Sequence, residues 1–129
     1  MQAANPMVYV VDDDASVRAL YLLAQSVDLE AQGFATGGEF LAAEHATRPA
    51  CVVLDLRLPD MHGLELQRRL ARSDPDLAVV VVTGYGDELT RREALAGGAV
   101  AFLSKPFDDQ VLVEAIQRAL AGRQPGLRG

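Results

Sequence analysis

The chain is short of cysteine, of long apolar runs and of basic charge, and each shortage closes off a class of function. Its single cysteine, Cys51, excludes an intramolecular disulfide and suits a reducing compartment. Lying inside an apolar segment, that thiol reads as a small core group rather than a nucleophile. Lys and Arg number 12 against 18 Asp and Glu, a formal net charge of -6, whereas phosphate backbones and anionic lipids select clustered cations. No apolar run approaches the roughly 18 residues that cross a bilayer. The opening MQAANPM has neither the basic stretch nor the apolar core of a secretory signal. The expectation is a soluble cytoplasmic protein that touches neither nucleic acid nor membrane through this segment. His45 and His62 have no Cys or His at ligand spacing and do not read as metal ligands.

What is present suffices for one domain. Half of the 129 residues are hydrophobic, enough to bury roughly 70% of the unfolded surface without a disulfide or metal staple. Residues 1–6 read as a flexible arm, 7–121 as the domain, and 122–129 (GRQPGLRG) as a tail or the start of an interdomain linker.

Strand-like and helix-like segments alternate along the domain. Met7–Val11 (MVYVV) reads as strand β1, and Val17, Leu20, Tyr21, Ala24 and Val27 recur at helical spacing as α1, with Asp14 or Ser16 placed to cap it. Leu29–Ala35 is a polar strand β2 suited to a sheet edge. Thr36-Gly37-Gly38 reads as a loop, and Phe40, Leu41 and Ala43 as a short α2 ending near Arg48-Pro49. Ala50–Leu56 is β3. Leu64, Leu66, Leu70 and Ala71 mark α3, stopping around Ser73-Asp74-Pro75. Leu77–Val82 is an apolar β4, Asp87–Ala96 a charged, thinly apolar α4 closed by Gly97-Gly98, and Val100–Leu103 is β5. Val111, Leu112, Ala115, Ile116, Ala119 and Leu120 form the stripe of α5, capped by Asp108 or Asp109. Five alternations with short connections predict an α/β fold: one doubly wound, five-stranded parallel sheet, flavodoxin-like with strand order 2-1-3-4-5, and helices on both faces.

Right-handed crossovers bring every strand's carboxyl end to one rim. Asp12, Asp13 and Asp14 follow β1, Asp55 ends β3, Thr83 follows β4 and Lys105 follows β5, so one site is implied. Clustered carboxylates need a proton or a cation. An oxygen-only set suits Mg²⁺, or Mn²⁺ in its place. With Asp12, Asp13 and one Asp55 oxygen on the cation, the other Asp55 oxygen is free to attack phosphorus and form an acyl phosphate. The cation, the Lys105 ammonium and the Thr83 hydroxyl then match the three equatorial oxygens.

The motifs VVDDD, LDLRLPDMHG, VVVTGYG and FLSKPF, in that order, resemble the receiver domain of two-component response regulators, most like those preceding helix-turn-helix transcription factors of the nitrogen-fixation-regulator kind. The resemblance spans about Val8 to Leu120. It implies that Asp12 and Asp13 are the acid pair, Asp55 the phosphoacceptor, Thr83 the switch hydroxyl, Phe102 the rotating aromatic and Lys105 the phosphate-contacting lysine. It also implies a cis bond between Lys105 and Pro106, and the Arg57 backbone carbonyl as a metal ligand. The donor would be a sensor histidine kinase or a histidine phosphotransfer protein. Phosphorylation would alter an α4-β5-α5 surface that contacts an output domain or a second copy, for transcription control, without turnover of an outside substrate. His62 stands where acidic or small polar residues are usual, and Arg57 and Tyr85 are bulky enough to screen the acyl phosphate from water.

Each of these residues alone has an ordinary reading as a helix cap, a turn residue or a solvated lysine; four motifs at four successive strand ends do not. Two other functions fit parts of the pattern. Asp12 to Ser16 also matches a D-x-D-x-S pattern resembling haloacid-dehalogenase-type phosphatases, with Asp12 as nucleophile, although the chain leaves no room for a cap domain. A phosphate-independent interaction module would keep only the fold.

Overall fold

The computed structural model describes residues 6–12, 23, 25–45, 49–84 and 87–121. Five strands form one parallel sheet in the order β2-β1-β3-β4-β5. Their bounds are Met7–Val11, Glu30–Phe34, Ala50–Asp55, Ala78–Thr83 and Ala101–Ser104. The central strands β1, β3 and β4 are buried at every residue, the consequence of apolar runs that have no polar alternate positions to offer solvent. The polar β2 takes an edge, as its Glu, Gln and Gly suggest.

Because side chains alternate across a strand, each run feeds two cores. On one face Tyr9, Val11, Val52, Leu54, Val79 and Val81 pack with Phe40, Leu66, Leu70 and Ala94 of α2, α3 and α4. On the other, Val8, Val10, Cys51, Val53, Val80 and Val82 pack with Leu112, Ala115, Ile116 and Ala119 of α5. Burial pushes the Cys51 thiol up to about 12, so it is protonated and unreactive at neutral pH. Most of α1, with Asp14 and Ser16, lies outside the described residues; Leu23 and Val27 join the α5 face. Among the described residues no helix is long and apolar enough to cross a membrane.

The helices run over Gly37–Ala42 (α2), Gly63–Ser73 (α3), Glu88–Ala96 (α4) and Asp109–Ala121 (α5). Here α2 departs from the expectation at both ends. It begins at Gly37, inside the segment read as a loop, because the Thr36 side chain accepts a hydrogen bond from Glu39 N–H at 3.0 Å and the Glu39 carboxylate reaches back to Ala35 N–H at 3.2 Å. This reciprocal capping outweighs two poor helix formers. It stops at Ala42, well short of Arg48-Pro49, with the backbone extended at Ala43. The strands β4 and β5 each sit one residue later than expected, placing Thr83 and Ser104 inside the ladder.

Capping also fixes α4. Asp87 accepts from Thr90 N–H at 2.8 Å, and α4 closes through Gly97 and a left-handed Gly98 (φ 104°), as the Gly-Gly pair indicates. Of the nine α4 residues only Ala94 is buried. Beyond that contact, α4 receives a hydrogen bond at 2.8 Å from the buried Gln67 amide of α3 to the Ala94 carbonyl. At the opposite rim from the strand carboxyl ends, His45 stacks on Phe40 (centroids 4.2 Å) and bonds both the Phe40 carbonyl at 2.9 Å and Asp74 at 3.1 Å. It braces α2 against the end of α3.

Candidate functional site

Parallel register brings the strand ends together. Val11 pairs with Leu54, Asp55 with Val82, and Thr83 with Ser104. Asp12, one residue past Val11, therefore stands level with Asp55, and its N–H is held by the Phe34 carbonyl at 3.0 Å. Lys105 continues beyond the last β5 pair, its N–H donating to the Thr83 carbonyl at 2.8 Å. The following Lys105–Pro106 bond is cis.

The side chains converge as the strand ends do. Lys105 Nζ lies 3.1 Å from Asp12 Oδ2 and 3.5 Å from Asp55 Oδ2, joining three residues far apart in the chain. The Asp12 side chain is 1% exposed and that of Asp55 11%, so of the two carboxylates Asp55 is the one open to an incoming group. Asp55 Oδ1 accepts from the Arg57 N–H at 3.2 Å, which leaves Oδ2 on the lysine side. Thr83 is fully buried at the end of β4, and Phe102 is half-buried against the α2–α4 face.

Burial raises the Asp55 carboxyl above its usual range, and the Asp12 charge adds to this; the Arg57 N–H and Lys105 oppose it. Two carboxylates facing one ammonium leave about one uncompensated negative charge, and the donors are all oxygen. This suits a small hard cation. Asp12 and Asp55 are the described carboxylates that meet there. The third expected carboxylate, Asp13, lies outside the described residues, as does Tyr85. Among the described residues no three His, Cys, Asp or Glu side chains cluster.

The strain on Asp55 has a measurable sign. A carboxyl whose folded pKa is raised binds its proton more tightly folded than unfolded, so its charge costs stability above that pKa. Asp55→Asn removes the cost and leaves Asp12 and Lys105 matched. Without divalent cations the variant is expected to be more stable than the wild type near neutral pH by on the order of 1 kcal/mol. Thermal melts should show this gain shrinking as pH falls through the raised pKa.

The chain is tightly packed where α3 begins beside the end of β3. A Cβ on Gly63 would stand 2.6 Å from the Asp55 carbonyl, so only glycine allows α3 to start against the end of β3. His62, the residue that departs from the resemblance, caps α3: its Nδ1 accepts from Leu64 N–H at 3.1 Å.

A family model described as the response regulator receiver domain matches residues 8–117 of the chain. The chain belongs to that family. This receiver domain is 43% identical over 118 residues to nodulation protein W of Bradyrhizobium diazoefficiens, covering 91% of the chain and 52% of that relative. It is 38% identical over 127 residues to the transcriptional regulatory protein FixJ of Azorhizobium caulinodans, covering 94% of the chain and 60% of the relative. The chain thus spans roughly half to three-fifths of the length of these two relatives. Among solved structures, the beryllofluoride-activated NtrC4 receiver domain dimer superposes with a TM-score of 0.84 at 28% identity, covering 92% of this receiver domain and 98% of that one.

Proposed function

We propose that this receiver domain accepts a phosphoryl group on Asp55 from the phosphoimidazole of a histidine kinase or a histidine phosphotransfer protein. The observation that carries the proposal is the convergence of Asp12, Asp55 and Lys105 at one rim, with Asp55 the more open carboxylate. Asp55 Oδ2 attacks phosphorus, an O–P bond forms as the donor N–P bond breaks, and the imidazole leaves with the electron pair. Asp12, Asp13, Asp55 and the Arg57 carbonyl would hold Mg²⁺, which when bound would supply positive charge against the phosphoryl group. Lys105 and the Thr83 hydroxyl bind the remaining oxygens, and the work of the site is positioning and charge neutralisation. Turnover is limited to the domain's own phosphate, through hydrolysis of the acyl phosphate.

The added charge of about -1.5 to -2 draws Thr83 and Lys105 inward, and Phe102 moves into the space Thr83 leaves. The surface that changes carries the exposed apolar side chains Leu89 (66%), Leu95 (36%) and Val111 (43%) of α4 and α5. It is the face we assign to a second copy or to a transcriptional output domain. Arg57 is exposed beside Asp55, and we assign it, with Tyr85, to screening the phosphate. In pulse-chase experiments Arg57→Ala and Tyr85→Ala variants should lose phosphate several-fold faster than the wild type; equal or slower loss removes this role.

The phosphatase reading requires Asp12 as nucleophile, and the near-complete burial of that side chain against Lys105 counts against it. Incubation with acetyl phosphate tests the proposal. The wild type should gain one phosphoryl group with Mg²⁺ and none with a chelator, and metal-independent labelling would contradict it.

A further inference from the structure

The loop from β3 to α3 carries both Arg57 groups used above, the N–H that steers Asp55 and the carbonyl assigned to the metal. Its base is closed by the Gly63 N–H on the Leu56 carbonyl at 2.8 Å and by an antiparallel bridge between Arg57 and His62. Beyond the base, the tip Pro59-Asp60-Met61 is held by Met61 packing against the α2–α4 core and by polar bonds to another element. Asp60 Oδ1 accepts from Gly37 N–H at 3.0 Å, and Asp60 Oδ2 from Gly38 N–H at 2.8 Å, a two-oxygen grip on the first turn of α2. The two glycines are fitted to it: a Cβ on Gly37 would lie 2.8 Å from the Met61 sulfur, and one on Gly38 would lie 3.1 Å from Asp60 Oδ2. The N–H groups of Gly38 and Gly37 hold the Asp60 carboxyl below its usual range, so it is ionised throughout the neutral range. Charge-assisted bonds of this kind are about twice as strong as neutral ones.

We infer that Asp60 is a positioning residue for the metal-binding half of the site: by gripping Gly37 and Gly38 it fixes the loop tip and, through the loop, the Arg57 carbonyl and the Arg57 N–H on Asp55. The inference rests on the reading of Asp12, Asp55 and Arg57 as the Mg²⁺ ligands. Asp60 itself touches neither metal nor phosphate. It acts as an outer partner that orients a ligand, a role whose loss typically weakens metal binding about 10- to 100-fold.

Calorimetric titration of the purified protein with Mg²⁺, paired with acetyl phosphate labelling and thermal melts, tests this. In Asp60→Ala the Mg²⁺ dissociation constant should rise by about tenfold or more, while the labelling rate at saturating Mg²⁺ stays close to the wild type. Asp60→Asn keeps one acceptor oxygen and should recover part of the affinity; it also carries the test if the alanine variant does not fold. Thr36→Ala weakens the α2 cap without touching the loop and should leave Mg²⁺ binding unchanged. Wild-type affinity in both Asp60 variants, or an equal loss in Thr36→Ala, overturns the positioning role while the phosphoacceptor reading stands. A wild type that binds no Mg²⁺ overturns both.

Discussion

Asp55→Asn is expected to take up no phosphoryl group from acetyl phosphate and Mg²⁺, the largest effect foreseen here. The amide nitrogen and carbonyl of asparagine supply no anionic oxygen to attack phosphorus, and no described neighbour replaces it. Asp12 is 1% exposed and engaged by Lys105. The loss should therefore be complete within detection rather than partial. It should also be separable from misfolding, because the same variant is expected to melt higher than the metal-free wild type at neutral pH. A labelled Asp55→Asn protein would move the acceptor elsewhere.

Lys105 should give the second largest effect, and a divided one. Its ammonium lies between two carboxylates, 3.1 Å from Asp12 and 3.5 Å from Asp55, where it both offsets their repulsion and opposes an incoming cation. Lys105→Ala removes the cation's competitor, so Mg²⁺ should bind more tightly than in the wild type. It also removes a charge aimed at the phosphoryl oxygens, and the labelling rate at saturating Mg²⁺ should fall by on the order of a hundredfold. Lys105→Arg should restore little of that rate, because a planar guanidinium does not place its charge where a compact ammonium does between the two carboxylates. Parallel loss of metal affinity and rate in Lys105→Ala would mean that the lysine only holds the fold.

The buried strands were the most legible part of the chain, since β1, β3 and β4 are apolar at nearly every position and end on polar residues. Their register needed no further signal: with all crossovers of one hand, Asp12, Asp55 and Lys105 had to reach the same rim. Lys105 is also marked by composition: it is the only lysine beside eleven arginines, and it faces the two carboxylates of Asp12 and Asp55. The strand ends of β4 and β5 slipped by one residue because Thr83 and Ser104 are polar yet belong to the ladder.

Other features depend on residues distant in sequence, or on a local signal, the Thr36-x-x-Glu39 capping pattern, that two glycines obscure. Two glycines in a row read as a loop, and only the Thr36–Glu39 cap and the grip of Asp60, 22 residues further on, make them the first turn of a helix. His62 is an uncommon helix cap, and it stood out only as a departure from the family resemblance. His45 finds its partner in Asp74, 29 residues away. Asp13 and Tyr85 lie outside the described residues; the role of Asp13 rests on the sequence pattern, and that of Tyr85 on the dephosphorylation experiment as well.

Borohydride trapping tests the central claim most directly. Reduction of an aspartyl phosphate yields homoserine, which peptide mass spectrometry locates in the chain. After incubation with acetyl phosphate and Mg²⁺, the account predicts homoserine at position 55 and nowhere else; homoserine at position 12, or a labelled protein with none, would contradict it.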